Sequence, residues 1–145
     1  DLYPSAVVNH TGNVKINAQS RDQEAFGVYV HSAKPNKESG TDQGGAANFS
    51  KELNIKAVSA NSNATGIFVS GAPITDENGE VLFTSGQASV NTSGDTTIVA
   101  AGKTASYALN AEADGQITVG STGKTVHLTG DIVAKNVETI CEEQI

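Results

Sequence analysis

Apolar and polar residues alternate one by one through short blocks of this chain. In "VKINAQS" (14–20), Val14, Ile16 and Ala18 alternate with Lys15, Asn17 and Gln19, the period of a strand that buries one face. A polar turn, "SRDQE" (20–24), leads to a second block, "AFGVYVH" (25–31). If Val28 and Val30 face inward there, Tyr29 faces out. The period is two rather than 3.6, so these blocks predict strands and no helix.

The phrase then recurs. A shift of 39 positions lays "VKINAQSRDQEAFGVYVHSA" (14–33) on "LNIKAVSANSNATGIFVSGA" (53–72) without a gap. Seven positions are identical: Ile16 with Ile55, Ala18 with Ala57, Ser20 with Ser59, Ala25 with Ala64, Gly27 with Gly66, Val30 with Val69, and Ala33 with Ala72. Val14 with Leu53, Val28 with Ile67 and Tyr29 with Phe68 are close exchanges, and chance would supply roughly one or two identities. A second shift of 39 brings "TASYALNA" (104–111) under "TGIFVSGA" (65–72) and Tyr107 under Phe68. A fourth copy begins at "QITVGSTG" (116–123), and "TGDIVAKN" (129–136) again sets Thr-Gly before apolar residues.

Strand, turn, strand, turn describes one coil, and like residues of successive coils stack at the strand spacing of about 4.8 Å. The predicted architecture is an all-β parallel solenoid of about five or six coils in one domain, residues 1–145. Core repeats fill about 12–136, and 137–145 form a cap or tail. An antiparallel sandwich gives no reason for two strands to recur gap-free with the turn between them. The composition fits: four Phe, three Tyr, no Trp and no Met in 145 residues suit a narrow interior column better than a spherical core. Two segments break the rhythm and are expected to project. "KPNKESGTDQGGAAN" (34–48) has no apolar period and reads as a loop, and "ITDENGEVLF" (74–83) places Asn78-Gly79 as a hairpin turn.

A net charge of −7, with the nine basic residues spread singly, provides no footprint for nucleic acid or an anionic membrane. No apolar run reaches the roughly 20 residues of a membrane-crossing helix. The opening "DLYPSAVVNHTG" lacks an initiator Met and a signal-peptide pattern and reads as a mature or trimmed product. Cys141 is the single cysteine, so the fold relies on backbone pairing rather than disulfide staples. Asn-x-Ser/Thr triplets at Asn9, Asn48, Asn63 and Asn91 read as accidents of an Asn- and Thr-rich composition.

The blocks "VKINAQS...AFGVYVHSA", "LNIKAVS...ATGIFVSGA" and "GQITVGSTGKTVHLTGDIVAKN" resemble the passenger domains of bacterial autotransporters, over roughly residues 12–136. The resemblance implies a right-handed parallel β-helix in an extracellular or bacterial cell-surface setting, in a longer parent chain linked to an outer-membrane β-barrel. Cys141 and the ending "NVETICEEQI" depart from the repeat style.

Little in the chain points to catalysis. Neither Gly-Asp-Ser-Gly, the nucleophile motif of protease members of that family, nor Gly-x-Ser-x-Gly occurs. Carboxylates that a polysaccharide lyase or hydrolase would need are available at Asp22, Glu24, Asp95, Asp114 and Asp131. Asp22 and Glu24, however, align with Asn61 and Asn63 and so belong to polar turns. "DENGE" (76–80) lacks the later ligands of a calcium loop. His10, His31 and His127 are scattered and read as solvated surface residues. No catalytic residue, metal or cofactor is expected. The expected function is a non-enzymatic adhesin or interaction module, the alternative being a carbohydrate-active β-helix enzyme. Its partners would be a host surface protein, matrix, glycan or another copy. The candidate contact residues are Tyr29 and Phe68 on the shaft, Lys34, Lys37 and Asp42 in the loop, and Asn78 on the hairpin.

Overall fold

A computed structural model describes residues 7–31, 45–71, 74–75, 77–83, 88–112, 115–134, 137–139 and 143–144. The described residues contain strands and no helix. In chain order these are β1 (Val7–His10), β2 (Val14–Ser20), β3 (Ala25–His31), β4 (Ala46–Phe49), β5 (Leu53–Ser59), β6 (Ala64–Ser70), β7 (Ile74–Thr75) and β8 (Val81–Phe83). There follow β9 (Ser89–Thr92), β10 (Thr96–Gly102), β11 (Ser106–Glu112), β12 (Gln116–Val119), β13 (Thr125–Thr129), β14 (Asp131–Ala134), β15 (Val137–Thr139) and β16 (Glu143–Gln144).

Three parallel sheets are built from strands that lie far apart in sequence. Sheet I orders β1-β4-β9-β12-β15, sheet II β2-β5-β10-β13-β16, and sheet III β3-β6-β11-β14. Leaving β7 and β8 aside, the chain visits I, II and III in the same cycle each time. This connectivity is compatible with the parallel solenoid read from the repeat. The shift of 39 is the ladder itself: Val14 pairs with Leu53, Ile16 with Ile55, Ala25 with Ala64 and Tyr29 with Phe68.

Stacking converts the alternation into columns. In sheet II, Ile16, Ile55, Ile98 and Leu128 occupy one register position and Val14, Leu53, Thr96 and Val126 another. In sheet III, Val28, Ile67, Leu109 and Ile132 align. Leu53, Ile55, Ile67, Leu109 and Ile98 form one buried cluster with residues of sheet I, including Val90, Ile117 and Val119. A smaller cluster of Ala57, Ala64 and Ala100 fills the corner between sheets II and III.

The corners are made by side chains the repeat preserves. The Ser20 hydroxyl accepts a hydrogen bond from the Gln23 amide at 3.0 Å, and Ser59 accepts from the Ser62 amide at 3.1 Å. Ser59 also donates to the Gln23 carbonyl of the preceding coil at 2.7 Å. Both serines thus replace backbone partners that the turn would otherwise leave unmet. In the third coil Gly102 takes this place, because a side chain there would collide with the backbone at Ala105 and Ala64.

Four expectations are corrected. Among the described residues each of the first four coils has three strands, not two: the short strands of sheet I went unread because four residues carry too little alternation to stand out. The segment read as a loop from 34 to 48 therefore ends in a strand, β4, with Ala47 and Phe49 buried; residues 32–44 lie outside the described residues. The third copy is offset by 42, not 39, so that Tyr107 pairs with Thr65 while Phe68 pairs with Asn110. The connection from β6 to β9 runs 18 residues against 14 from β3 to β4, and the β10–β11 corner is one residue shorter than its predecessor. Finally, His10 is half-buried rather than fully solvated: its ring stacks on Phe49 at 4.8 Å and 6°.

The hairpin is present. β7 and β8 pair antiparallel, and the exposed turn at 77–80 contains Gly79 at φ +81°, a left-handed conformation that glycine adopts without strain. At the C-terminal end, β15 and β16 pair with β12 and β13, so the segment read as cap or tail extends sheets I and II.

Candidate functional site: an aromatic cleft on sheet III

Strict alternation from Val28 and Val30 would turn Phe26 toward the core. Instead the phase breaks at Gly27. A side chain on Gly27 would run into Ile55 and the Gly66 carbonyl, so Gly27 faces inward, as does the next residue, Val28, which packs on the core cluster. Phe26 is thereby left on the outer face. The same break recurs at Gly66-Ile67 and at Ala108-Leu109, two fully buried neighbours in succession. A side chain on Gly66 would meet Ile98 and, at 2.6 Å, the Ala108 carbonyl, which is why glycine stands at this point of the repeat.

The break gathers three rings outside the shaft. Tyr29 and Phe68 stack at 5.0 Å and 17°, as their register demands. Phe26 packs edge-on against Tyr29 at 5.2 Å and against Phe68 at 5.7 Å. Tyr29 remains 56% exposed although it is a large aromatic, and His31 lies beside it at 6.5 Å. The two shaft residues expected as contacts, Tyr29 and Phe68, are therefore brought together. Tyr107, expected in line with them, belongs to the neighbouring row with Phe26 and Thr65.

At the third rung the ring ladder stops, because Asn110 stands where a third ring would continue it. A cleft of about 390 Å³ opens here, lined by Glu24, Phe26, Asn63, Phe68, Tyr107 and Asn110, with Tyr29, Thr65 and Glu112 completing it. This volume is at the low end of small-ligand sites, roughly 300–1,000 Å³. The Asn63 amide donates to Glu24 Oε1 at 3.1 Å, and since an ionised carboxylate only accepts, that bond fixes the orientation of the amide. Asn63 Oδ1 and Asn110 Oδ1 are both buried without a hydrogen-bond partner. Sequence reasoning missed Phe26, Asn63, Asn110 and Glu112. Their common cause, the phase break at Gly27, Gly66 and Ala108, is visible in the sequence only as an aligned pair of glycines.

The remaining candidates are dispersed. Asn78 lies on the exposed hairpin turn; Lys34, Lys37 and Asp42 lie outside the described residues, as does Asp114. Asp22 accepts from the Asn61 amide at 2.8 Å, a side-chain rung between coils like that of Asn63 and Glu24. Asp95 accepts from the Thr125 amide at 3.0 Å. Asn9, Asn48 and Asn91, three of the Asn-x-Ser/Thr positions, form a ladder on the outside of sheet I, the Asn48 amide donating to Asn9 Oδ1 and the Asn91 amide to Asn48 Oδ1, both at 2.9 Å. Among the described residues, no group of three or more His, Cys, Asp or Glu side chains is placed to hold a metal ion. Comparison with family models, with curated proteins and with solved structures gave no significant match.

Proposed function

We propose that this chain is a non-enzymatic interaction module: part of a right-handed parallel β-helix of about five or six coils, displayed outside the cell as the passenger of a bacterial autotransporter. A right-handed path is the one that crossovers between parallel strands of a sheet almost always take. The cyclic order of the three sheets and the gap-free repeat support a shaft that holds a surface rigidly and adds length coil by coil. Its parent chain would continue to an outer-membrane β-barrel, and its partner would be a host surface, matrix or neighbouring cell.

One observation carries the reading. Tyr29, Phe68 and Phe26 form an outward aromatic cluster on sheet III, although the interior column needs none of them. Exposed aromatics grouped in this way mark contact surfaces, because they bury much apolar area at small entropic cost. Beads carrying the chain, passed over surfaces coated with extracellular matrix, with mucin glycans or with the chain itself, test it. Retention on at least one surface is expected, together with its loss in Tyr29→Ser/Phe68→Ser while the circular dichroism stays that of a β-structure. Retention unchanged by the double substitution would overturn the reading.

A further inference from the structure

The two ends of the stack are finished differently. Among the described residues, the edge strands at the C-terminal end are short: β14 has four residues, β15 three and β16 two. Short edge strands are one way in which β-proteins avoid pairing with other chains. At the opposite end β2 and β3 run for seven residues each and β1 for four, and each is the outermost described strand of its sheet. Half of their backbone groups face away from the stack. The Val14 amide donates to the Glu52 carbonyl and the Ser20 carbonyl accepts from the Ala60 amide. Residues 14, 16, 18 and 20 therefore turn to β5, while Lys15, Asn17 and Gln19 turn their amides and carbonyls to the free side. In β1 the His10 carbonyl accepts from the Ser50 amide, which leaves Val7 and Asn9 facing the free side. Between these edges lies the open groove of about 510 Å³ whose lining includes Val14, Ile16, Val28 and Val30.

The form and charge of this face select its occupant. A single extended segment would pair with one edge and leave two, whereas another coil covers all three and closes the groove. In residues 7–31 Lys15 and Arg21 balance Asp22 and Glu24, although the whole chain carries −7. Two such faces therefore meet without net repulsion.

We propose that this N-terminal face docks on the same face of a second copy of the chain. A two-fold axis across the stack, through sheet I, sets β1 against β1 of the other copy, β2 against β3 and β3 against β2. Strands of equal length then pair antiparallel, and the half-buried columns of the two copies close on one another. The contact is self-complementary and ends at two copies. It leaves the C-terminal end free for the longer parent chain. This inference does not depend on the interaction-module reading, because it uses the end of the stack and not the aromatic cleft on sheet III.

The test is sedimentation of the 145-residue chain over roughly micromolar to millimolar concentrations. A monomer–dimer equilibrium without larger species is expected. Hydrogen exchange at the Lys15, Asn17 and Gln19 amides should slow several-fold as the dimer forms, while exchange in β10 stays unchanged. Asn17→Pro removes a donor turned to the free side, a place where an edge strand tolerates proline, and Val30→Lys puts a charge in the groove. Each should weaken the dimer at least about tenfold with the circular dichroism of a β-structure preserved. Ile132→Lys, at the other end and 43% exposed before substitution, should leave the dimer unchanged. A chain that sediments as a monomer throughout, or a dimer that survives both N-terminal substitutions, would overturn the proposal. An open series of oligomers, or loss of association in Ile132→Lys, would show head-to-tail stacking and overturn it as well. Should either N-terminal variant unfold, the exchange contrast in the unaltered chain decides.

Discussion

The first two coils carry nearly the same words and are buried very differently. In β2 and β3, Val14, Ile16, Val28 and Val30 are only half-buried and line an open cleft of about 510 Å³ with Phe49 and Ala47 of sheet I. Their partners in β5 and β6, Leu53, Ile55, Ile67 and Val69, are at most 2% exposed. The patterns match, so pattern is not the cause. The second coil lies between two others, whereas β1, β2 and β3 each stand at the edge of their sheet among the described strands. In a solenoid each unit depends on its neighbours, and burial is a property of position in the stack.

Substitutions at matched positions probe this difference. The largest effect is expected for Ile67→Ala, about 2–5 kcal/mol, because the hole it leaves is enclosed. Val28→Ala, one coil earlier on the same column, should cost about 1 kcal/mol, since its site is partly open and can relax. Urea midpoints of the two variants at unchanged slope measure the contrast. Equal losses would show that the first coil is as enclosed as the second.

Next comes Gly66→Ala, expected to cost about 1–3 kcal/mol because the added methyl overlaps Ile98 and the Ala108 carbonyl. Gly12→Ala is the control: nothing lies within 4 Å of the new atom, and thermal unfolding should move only slightly. Ser59→Ala follows at about 1–2 kcal/mol, because it strands the Ser62 amide and the bond to Gln23 of the preceding coil. Ser20→Ala loses a single bond at an exposed corner and should cost about half as much; calorimetry of the pair gives the ratio. Of the same order as Ser20→Ala is Asn48→Ala, about 0.5–1 kcal/mol, which cuts the middle of the Asn9–Asn48–Asn91 ladder. Hydrogen exchange should quicken in β1 more than in β9, because β1 is held by β4 alone.

The corner from sheet III to sheet I offers a second contrast. After β11 the chain crosses it in three residues, with the Gly115 amide bonded to the Glu112 carbonyl. After β3 and β6 the connections run to 14 and 18 residues, the latter carrying the hairpin. Unequal insertions at one corner leave the ladders intact, since loop length adds only slowly to the entropic cost. They also explain why the repeat is plain between its first two copies and faint afterwards: a constant shift survives only while the insertions are equal.

What was legible followed from periodicity. Val14, Ile16, Val28 and Val30 and their partners at Leu53, Ile55, Ile67 and Val69 announced strands, an inward face and a register that the ladders reproduce. The repeated Ser20/Ser59 and Gly27/Gly66 marked the corners and the close approach, and Asn78-Gly79 marked the hairpin. These are local matters, set by side-chain volume, alternation and turn chemistry within a few residues. The cleft was decided elsewhere. Phe26 turns outward because Gly27 admits Ile55 of the next coil, and Asn110 rather than Tyr107 faces Phe68 because one corner lost a residue and one connection gained four. The sequence by itself determined the shape of each coil. Only the stacking, which sets residues some forty positions apart against one another, decided which of them share a surface and which acceptors are left without donors.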